Sequence, residues 1–314
     1  TNSWNKLAVG RCRYGLILNE AGFVMDDGVV GRLAPDRFHV TTTTGGAARV
    51  LTHMEDYLQT EFFDLDVWLT STTEQWAVIA VQGPSARNII QPLIADIDLS
   101  ASAMPHMSVR EGSICGVGMR LLRVSFTGEL GFEINVPAGY GRMIWEALWH
   151  EAEKHGACAY GTEAMHVLRA EKGFIIVGQD TDGTVTPDDL GMGWMIGKSK
   201  TDFIGKRSLA RADFMKPDRP HLVGLQTQDP HFIPDEGAQI VPVPQPETGS
   251  AALGFVTSAY DSVTLGRSIA LGLVAKGRAR LGEVVYLTCL EGKTMPATIV
   301  EPIFYDKDGA RLHA

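Results

Sequence analysis

After the charged stretch KRSLARADFMKPDRP, residues 206–220, the chain changes texture, and that change restricts its fold more than any other feature. Short β-favouring runs follow at 221–226, 239–243, 252–258, 268–274, 284–290 and 293–299, with Gly, Pro and Asp turn signals between them. Runs this short, recurring roughly every 8–12 residues, pair as antiparallel strands and close as a small barrel or sandwich. The spacing therefore predicts an all-β domain over 213–314. QIVPVPQPETGSA, residues 239–251, carries one of its exposed loops.

Residues 1–212 read as α+β. Runs at 13–18, 22–33 and 37–42 look like strands, joined by the turns Asn19-Glu20-Ala21-Gly22 and Pro35-Asp36. Gly45 and Gly46 open a helix over 47–59, with Val50, Leu51, Met54 and Leu58 at helical spacing. Strands are expected at 66–69 and 75–81, and Ser85 caps a short helix over 87–93. A hairpin pairs 113–126 with 131–136 around Thr127-Gly128-Glu129. Helices follow at 140–155 and 162–172, the second closed by Gly173. Helices on one face of antiparallel sheets suit α+β better than a doubly wound fold. No GxGxxG follows a strand near the start, which argues against a dinucleotide-binding unit.

Composition narrows the function. Net charge is −9 with no Lys/Arg-rich block, which argues against nucleic-acid or anionic-membrane partners. No apolar run approaches the roughly 18–20 residues that span a bilayer. TNSWNKLAVG lacks both an initiator Met and a signal-peptide core, so the chain is expected to begin inside a longer polypeptide. Four dispersed cysteines without a CxxC pair fit a reducing cytoplasm, and nine histidines without HxH or HExxH suggest no protein-bound metal.

Three places could carry chemistry. Asp26 and Asp27 lie side by side in the apolar run LNEAGFVMDDGVVGRL. Strand alternation sends Phe23, Met25, Asp27 and Val29 to one face, and Val24, Asp26 and Val30 to the other. Gly28 permits a bulge or a close approach by another molecule. The pair is either a solvated strand end or a cleft-facing acid that binds or polarises an amine; alternation alone does not choose. Glu171 is the second candidate. On a helix it shares a stripe with Ala164 and Leu168, beside Val167, which puts it on the apolar side and Arg169 and Lys172 on the wetter side. A carboxylate there is a structural ion pair or a ligand anchor. The third is RVSFTGELGFEI, residues 123–134, whose Gly-rich turn carries Glu129. TTTTGG, residues 41–46, reads as a polar strand end in preference to a backbone anion cradle.

Together RYGLILNEAGFVMDD, RVSFTGELGFEI, LRAEKG, GQDTDGTVTPDDLGMGW, DFIGK and GFVTSAYDSVTLGRSIALG resemble the glycine-cleavage T-protein (aminomethyltransferase) family, in order and spacing over nearly the whole chain. Within it, YGTEAMHVLRAEKGFIIVGQDTDGTVTPDDLGMGWM is most similar to the folate-binding half of α subunits of heterotetrameric sarcosine oxidases. The resemblance implies a T-protein-like folate-binding fold of three parts, with a C-terminal barrel and tetrahydrofolate in the middle. It places the catalytic acid on Asp27, the strand tyrosine on Tyr14 and the pterin-binding carboxylate on Glu171; Glu129 and Arg123 match the TGE signature as further cofactor contacts. A pterin presents an amino group and a ring N–H side by side, which one carboxylate can accept together. The sequence also departs from the family. The segment before the RYG strand is missing, so part of the first lobe is absent or supplied by more polypeptide. Val177-Gly178 replaces the usual LYG, removing an aromatic contact and disfavouring an aminomethyl-lipoyl substrate.

The implied function is tetrahydrofolate-dependent one-carbon transfer, capturing the imine or formaldehyde of sarcosine oxidation as 5,10-methylenetetrahydrofolate. Flavin-containing sarcosine oxidase subunits are the implied partners. Two other readings stay open: a stand-alone aminomethyl- or methyltransferase on a small methylated substrate, and a non-catalytic folate-binding module.

Overall fold

The computed structural model describes residues 1–247, 249–289 and 292–314. The chain packs as two units that interleave along the sequence: 3–15, 26–159 and 310–314 form one, and 1–2, 16–25 and 160–309 the other. In this packing, residues 160–212 group with the strands that follow. Among the described residues no helix is long and apolar enough to cross a membrane.

The first unit centres on a four-stranded antiparallel sheet, ordered β4 (Trp76–Gln82), β7 (Gly131–Pro137), β6 (Val117–Arg123) and β5 (Ser108–Ile114). Ile79 pairs with Ile134 and Ile134 with Leu121, so alternation builds an apolar row across three strands. That face packs on α2 (Ala86–Ile90) and α3 (Gly141–Glu153) through Ile89, Ile90, Ile144 and Leu148. On the other face Val109 and Leu122 meet Cys12. Cys12 opens β1 (Cys12–Leu18), which forms a second sheet with β2 (Val24–Ala34) and β3 (Arg37–Val40) in the order β1-β2-β3. Helix α1 (Ala47–Thr60) follows.

Two strand expectations fail in this unit, and Ser85 precedes α2 without a side-chain cap bond. The run 113–126 is not one strand: β5 and β6 are separate, and Ile114 pairs with Val117 across Cys115-Gly116. Both turn residues have positive φ, +50° and +78°, as a two-residue hairpin of mirror-image type requires. The usual Asn-Gly is replaced by Cys-Gly, so the turn has no conventional signature. The strand expected at 66–69 does not form. Residues 61–65 turn, with Leu65 N–H donating to the Phe62 carbonyl, and 66–72 follow without regular structure, Trp68 being 91% exposed. An alternating pattern makes a strand only where a neighbour pairs its backbone.

The second unit contains a closed six-stranded barrel, ordered β10 (Gly254–Ser262), β11 (Arg267–Ala275), β8 (Pro220–Thr227), β13 (Thr294–Val300), β12 (Val284–Thr288) and β9 (Gln239–Val241). Each expected run has its strand; the last residue of 284–290, and residue 248 of the expected loop, lie outside the described residues. Ala270, Leu225 and Ile299 pair across β11, β8 and β13 and fill the interior. Helix α4 (Thr162–Glu171) packs outside, Ala170 meeting Tyr260 and Ile269. Gly173 ends it with φ +66°, and a Cβ there would lie 2.5 Å from the Pro302 carbonyl oxygen, so glycine is needed for space as well as conformation.

Candidate functional site

Alternation along β2 separates the two adjacent acids. Asp26 is fully buried on the Val24 face. Its Oδ1 accepts the Asp27 N–H at 2.8 Å and the Thr43 N–H at 3.1 Å, its Oδ2 accepts the Thr43 hydroxyl at 3.0 Å, and Arg49 Nη2 lies 3.7 Å away. Asp26 therefore organises the entry to α1. TTTTGG serves the chain itself: Thr43 faces Asp26, and the Thr41 hydroxyl donates to the Val29 carbonyl and accepts its N–H. The close approach at Gly28 is also internal, since a Cβ there would lie 1.8 Å from the Thr41 carbonyl oxygen.

Gly46 shows how tightly Asp26 is enclosed. A Cβ at 46 would lie 1.7 Å from Asp26 Oδ2 and 2.6 Å from Thr43 Oγ1, while φ is an ordinary −89°. The requirement is space. Gly46→Ala is expected to lower stability by about 1–3 kcal/mol, as overpacking does. Gly45→Ala, with nothing within 4 Å of its Cβ, is expected to be silent. Equal denaturation midpoints for the two variants would refute this account.

Asp27 faces the other way. Its Oδ2 accepts the Tyr14 hydroxyl at 2.5 Å. Burial foremost pushes its carboxyl up to about 6, with the nearby Asp26 charge acting in the same direction; the Tyr14 bond and a backbone bond oppose them. Burial and the Asp27 charge together raise the Tyr14 hydroxyl above its ordinary value, so it remains a donor. A carboxyl that titrates about pH 6 beside a fixed phenol can hold or release a proton near neutrality.

Glu171 ends α4 in the other unit and is 3% exposed. Its Oε1 accepts the Ser262 hydroxyl at 2.7 Å, and its backbone carbonyl accepts N–H groups of Phe304 and Tyr305 at 2.9 and 3.0 Å. Its burial agrees with the sequence, but the stripe is different. Ala164 is exposed, and Arg169 and Lys172, expected on the wetter side, are buried at 0% and 5%. Each is buried because it has a partner. Arg169 Nη1 donates to Asp180 Oδ2 at 2.5 Å and its Nη2 to Ser258 Oγ at 2.7 Å and Tyr260 Oη at 3.1 Å. Asp180 Oδ1 accepts hydroxyls from Thr257 and Ser258 at 2.6 and 2.7 Å. Lys172 pairs with Asp306 at 3.2 Å.

The remaining expected contacts lie in the first unit. Arg123, 1% exposed at the end of β6, donates to backbone carbonyls of Met104, Leu312 and Ala314 at 2.6, 3.3 and 2.5 Å. These bonds tie the 310–314 segment to the sheet. Glu129, after Gly128 with φ +83°, pairs with Arg311 at 2.6 Å on a partly exposed surface.

Comparison with known proteins bears on what this arrangement serves. The sequence model of the GCVT N-terminal domain matches residues 1–200, and that of the glycine cleavage T-protein C-terminal barrel domain matches 221–306. The chain belongs to the glycine-cleavage T-protein family. It is 46% identical to a sarcosine oxidase subunit alpha of Corynebacterium sp. strain P-1, over 99% of this chain and 32% of that protein. It thus spans about a third of the length of those relatives. It is 32% identical to an aminomethyltransferase of Saccharopolyspora erythraea, over 96% of this chain and 78% of the relative. The crystal structure of glycine cleavage system aminomethyltransferase T from Bartonella henselae superposes with a TM-score of 0.81 at 25% identity, covering 96% of this chain and 78% of that one.

Sequence reasoning singled out Asp27 and Glu171 and missed the residues that hold Glu171 and its helix. Ser262 and Asp180 were not singled out as site residues. A local signal existed for Asp180, an acid within GQDTDG, but its partner Thr257 lies 77 positions away. Ser262 lies in the quoted run GFVTSAYDSVTLG, but its facing carried no local signal, because it depends on a strand irregularity in β10.

Proposed function

We propose that this chain is a tetrahydrofolate-dependent one-carbon transfer module in which Glu171 anchors the pteridine and Asp27 is the catalytic acid. The observation that carries the reading is the difference between neighbours. Asp26 is enclosed by the chain's own donors, while Asp27 keeps a raised carboxyl pKa and is held by the Tyr14 hydroxyl. The donor set fits the ligand. A carboxylate offers about four lone-pair sites, so Glu171 can hold Ser262 and still accept the amino and ring N–H groups of a pteridine edge. When bound, tetrahydrofolate supplies the N5 and N10 amines that take up a one-carbon unit.

The protein's part is orientation and charge. Tyr14 fixes the Asp27 carboxylate; the carboxylate orients an incoming amine, favours positive charge as the carbon arrives, and takes or returns a proton at its oxygen. The nature of the relatives supports an imine or formaldehyde from sarcosine oxidation as the carbon source, 5,10-methylenetetrahydrofolate as the product, and flavin-containing oxidase subunits as partners. A second reading, a stand-alone aminomethyltransferase, draws support from relatives of that name aligned over nearly the whole chain. Turnover without any flavin subunit separates the two.

Calorimetry with tetrahydrofolate tests the site. Wild type is expected to bind, and Glu171→Ala to bind at least tenfold more weakly, the order lost with a hydrogen-bonded charge. Absence of binding by wild type, or equal affinity in Glu171→Ala, would sink the proposal. Binding without transfer would leave only a folate-binding module.

A further inference from the structure

Strand β10 contains one irregularity. Its register against β11 runs Val256↔Gly272 and then Ser258↔Leu271, so Thr257 is an extra residue, a β-bulge. Strand alternation would otherwise keep residues 258, 260 and 262 on the side of Val256, which fills the barrel interior. The bulge reverses the parity. Ala259 takes the interior side, while Tyr260 and Ser262 stand opposite Ile269 and Arg267 on the outer face, where α4 packs.

There Ser262, fully buried, is committed at both ends. Its oxygen accepts the Leu265 N–H at 3.1 Å, and it donates to Glu171 Oε1 at 2.7 Å. A serine hydroxyl has a single proton, and the bond from Leu265 occupies a lone pair, so the proton is directed at the carboxylate. Phe304 and Tyr305 hold the Glu171 backbone at the same time. Main chain and carboxylate are therefore both fixed.

We infer that Ser262, turned outward by the β10 bulge, is the positioning residue of the Glu171 carboxylate. This rests on the reading of Glu171 as pteridine anchor. The hydroxyl does not touch the ligand. It holds the carboxylate in one orientation before binding, so that two parallel N–H groups, the 2-amino group and its ring neighbour, meet it without the ordering cost of a free glutamate side chain. A fixed orientation also yields specificity: a pteridine without the 2-amino group forfeits a bond that the site is built to make.

The test is calorimetry on the whole chain with tetrahydrofolate and its 2-deamino analogue. Ser262→Ala is expected to weaken tetrahydrofolate binding about tenfold, the scale of one hydrogen bond to a charged group. The preference for tetrahydrofolate over the analogue should shrink with it, a change that general loosening of the fold does not produce. Ser262→Cys, similar in size and a weaker donor, should fall between, and it decides the matter by the same comparison if the alanine variant does not fold. Adding Ser262→Ala to Glu171→Ala should change nothing further. If wild type does not bind tetrahydrofolate, the functional reading itself fails. If wild type binds but the serine variants bind as well as wild type, or lose affinity equally for both ligands, the positioning role alone is overturned.

Discussion

Replacing Asp27 with asparagine is expected to slow one-carbon transfer by about 10²–10⁴-fold while leaving tetrahydrofolate binding in place. The substitution is nearly isosteric and can still accept the Tyr14 hydroxyl, so the local geometry persists. What disappears is a charge and a titratable proton. In wild type, transfer should rise from acid pH with a midpoint about 6, the value to which burial pushes this carboxyl, and level off above it. The variant should lack that inflection.

Stability should move in the opposite direction to activity. A carboxyl whose pKa climbs from 3.8 to about 6 on folding binds its proton more tightly in the native state. Its contribution is therefore most favourable below pH 3.8 and declines as pH rises through about 6, where the ionised form carries the cost of burial. That rise corresponds to roughly 3 kcal/mol in full, and partial hydration brings it nearer 2. At pH 7.5 Asp27→Asn should accordingly be more stable than wild type by about 2 kcal/mol, and the gain should vanish near pH 4. Denaturation curves at both pH values decide it. A variant that is active and no more stable would remove Asp27 from the mechanism.

The second large effect is on stability. Asp180→Ala should cost about 3–5 kcal/mol, because it leaves the Arg169 guanidinium charged and buried without its counter-ion. Four bonds converge on this carboxylate: Arg169, the Ile176 N–H at 2.9 Å, and the hydroxyls of Thr257 and Ser258. Melting should fall by roughly 10 °C. Replacing both charges with apolar residues of similar volume, Arg169→Met with Asp180→Leu, should cost less than the single change, since no charge is then stranded. A double variant as unstable as the single one would show that the hydroxyl bonds, and not the ion pair, dominate. Folate binding should weaken in Asp180→Ala as well, because the same network fastens α4, and with it Glu171, to β10.

The sequence by itself determined most of the classes of element and singled out the two acids as candidates. The barrel strands were legible because each is a short β-favouring run between turn residues, and local pattern suffices for that. The end of α4 was legible because Gly173 needs a left-handed backbone. Alternation put Asp26 and Asp27 on opposite faces, and the structure gives them different partners. Only the tertiary structure decided which face of β2 is buried, because that depends on Thr43 and Gly46 closing around Asp26. It also turned Arg169 inward, where helical spacing had placed it towards water: Asp180, Ser258 and Tyr260 supply the partners that make burial tolerable, and two of them lie about ninety positions away. The facing of Ser262 is the sharpest case. One extra residue at Thr257 inverts the two-residue period of β10, and a bulge is set by the register of two paired strands, not by the composition of either.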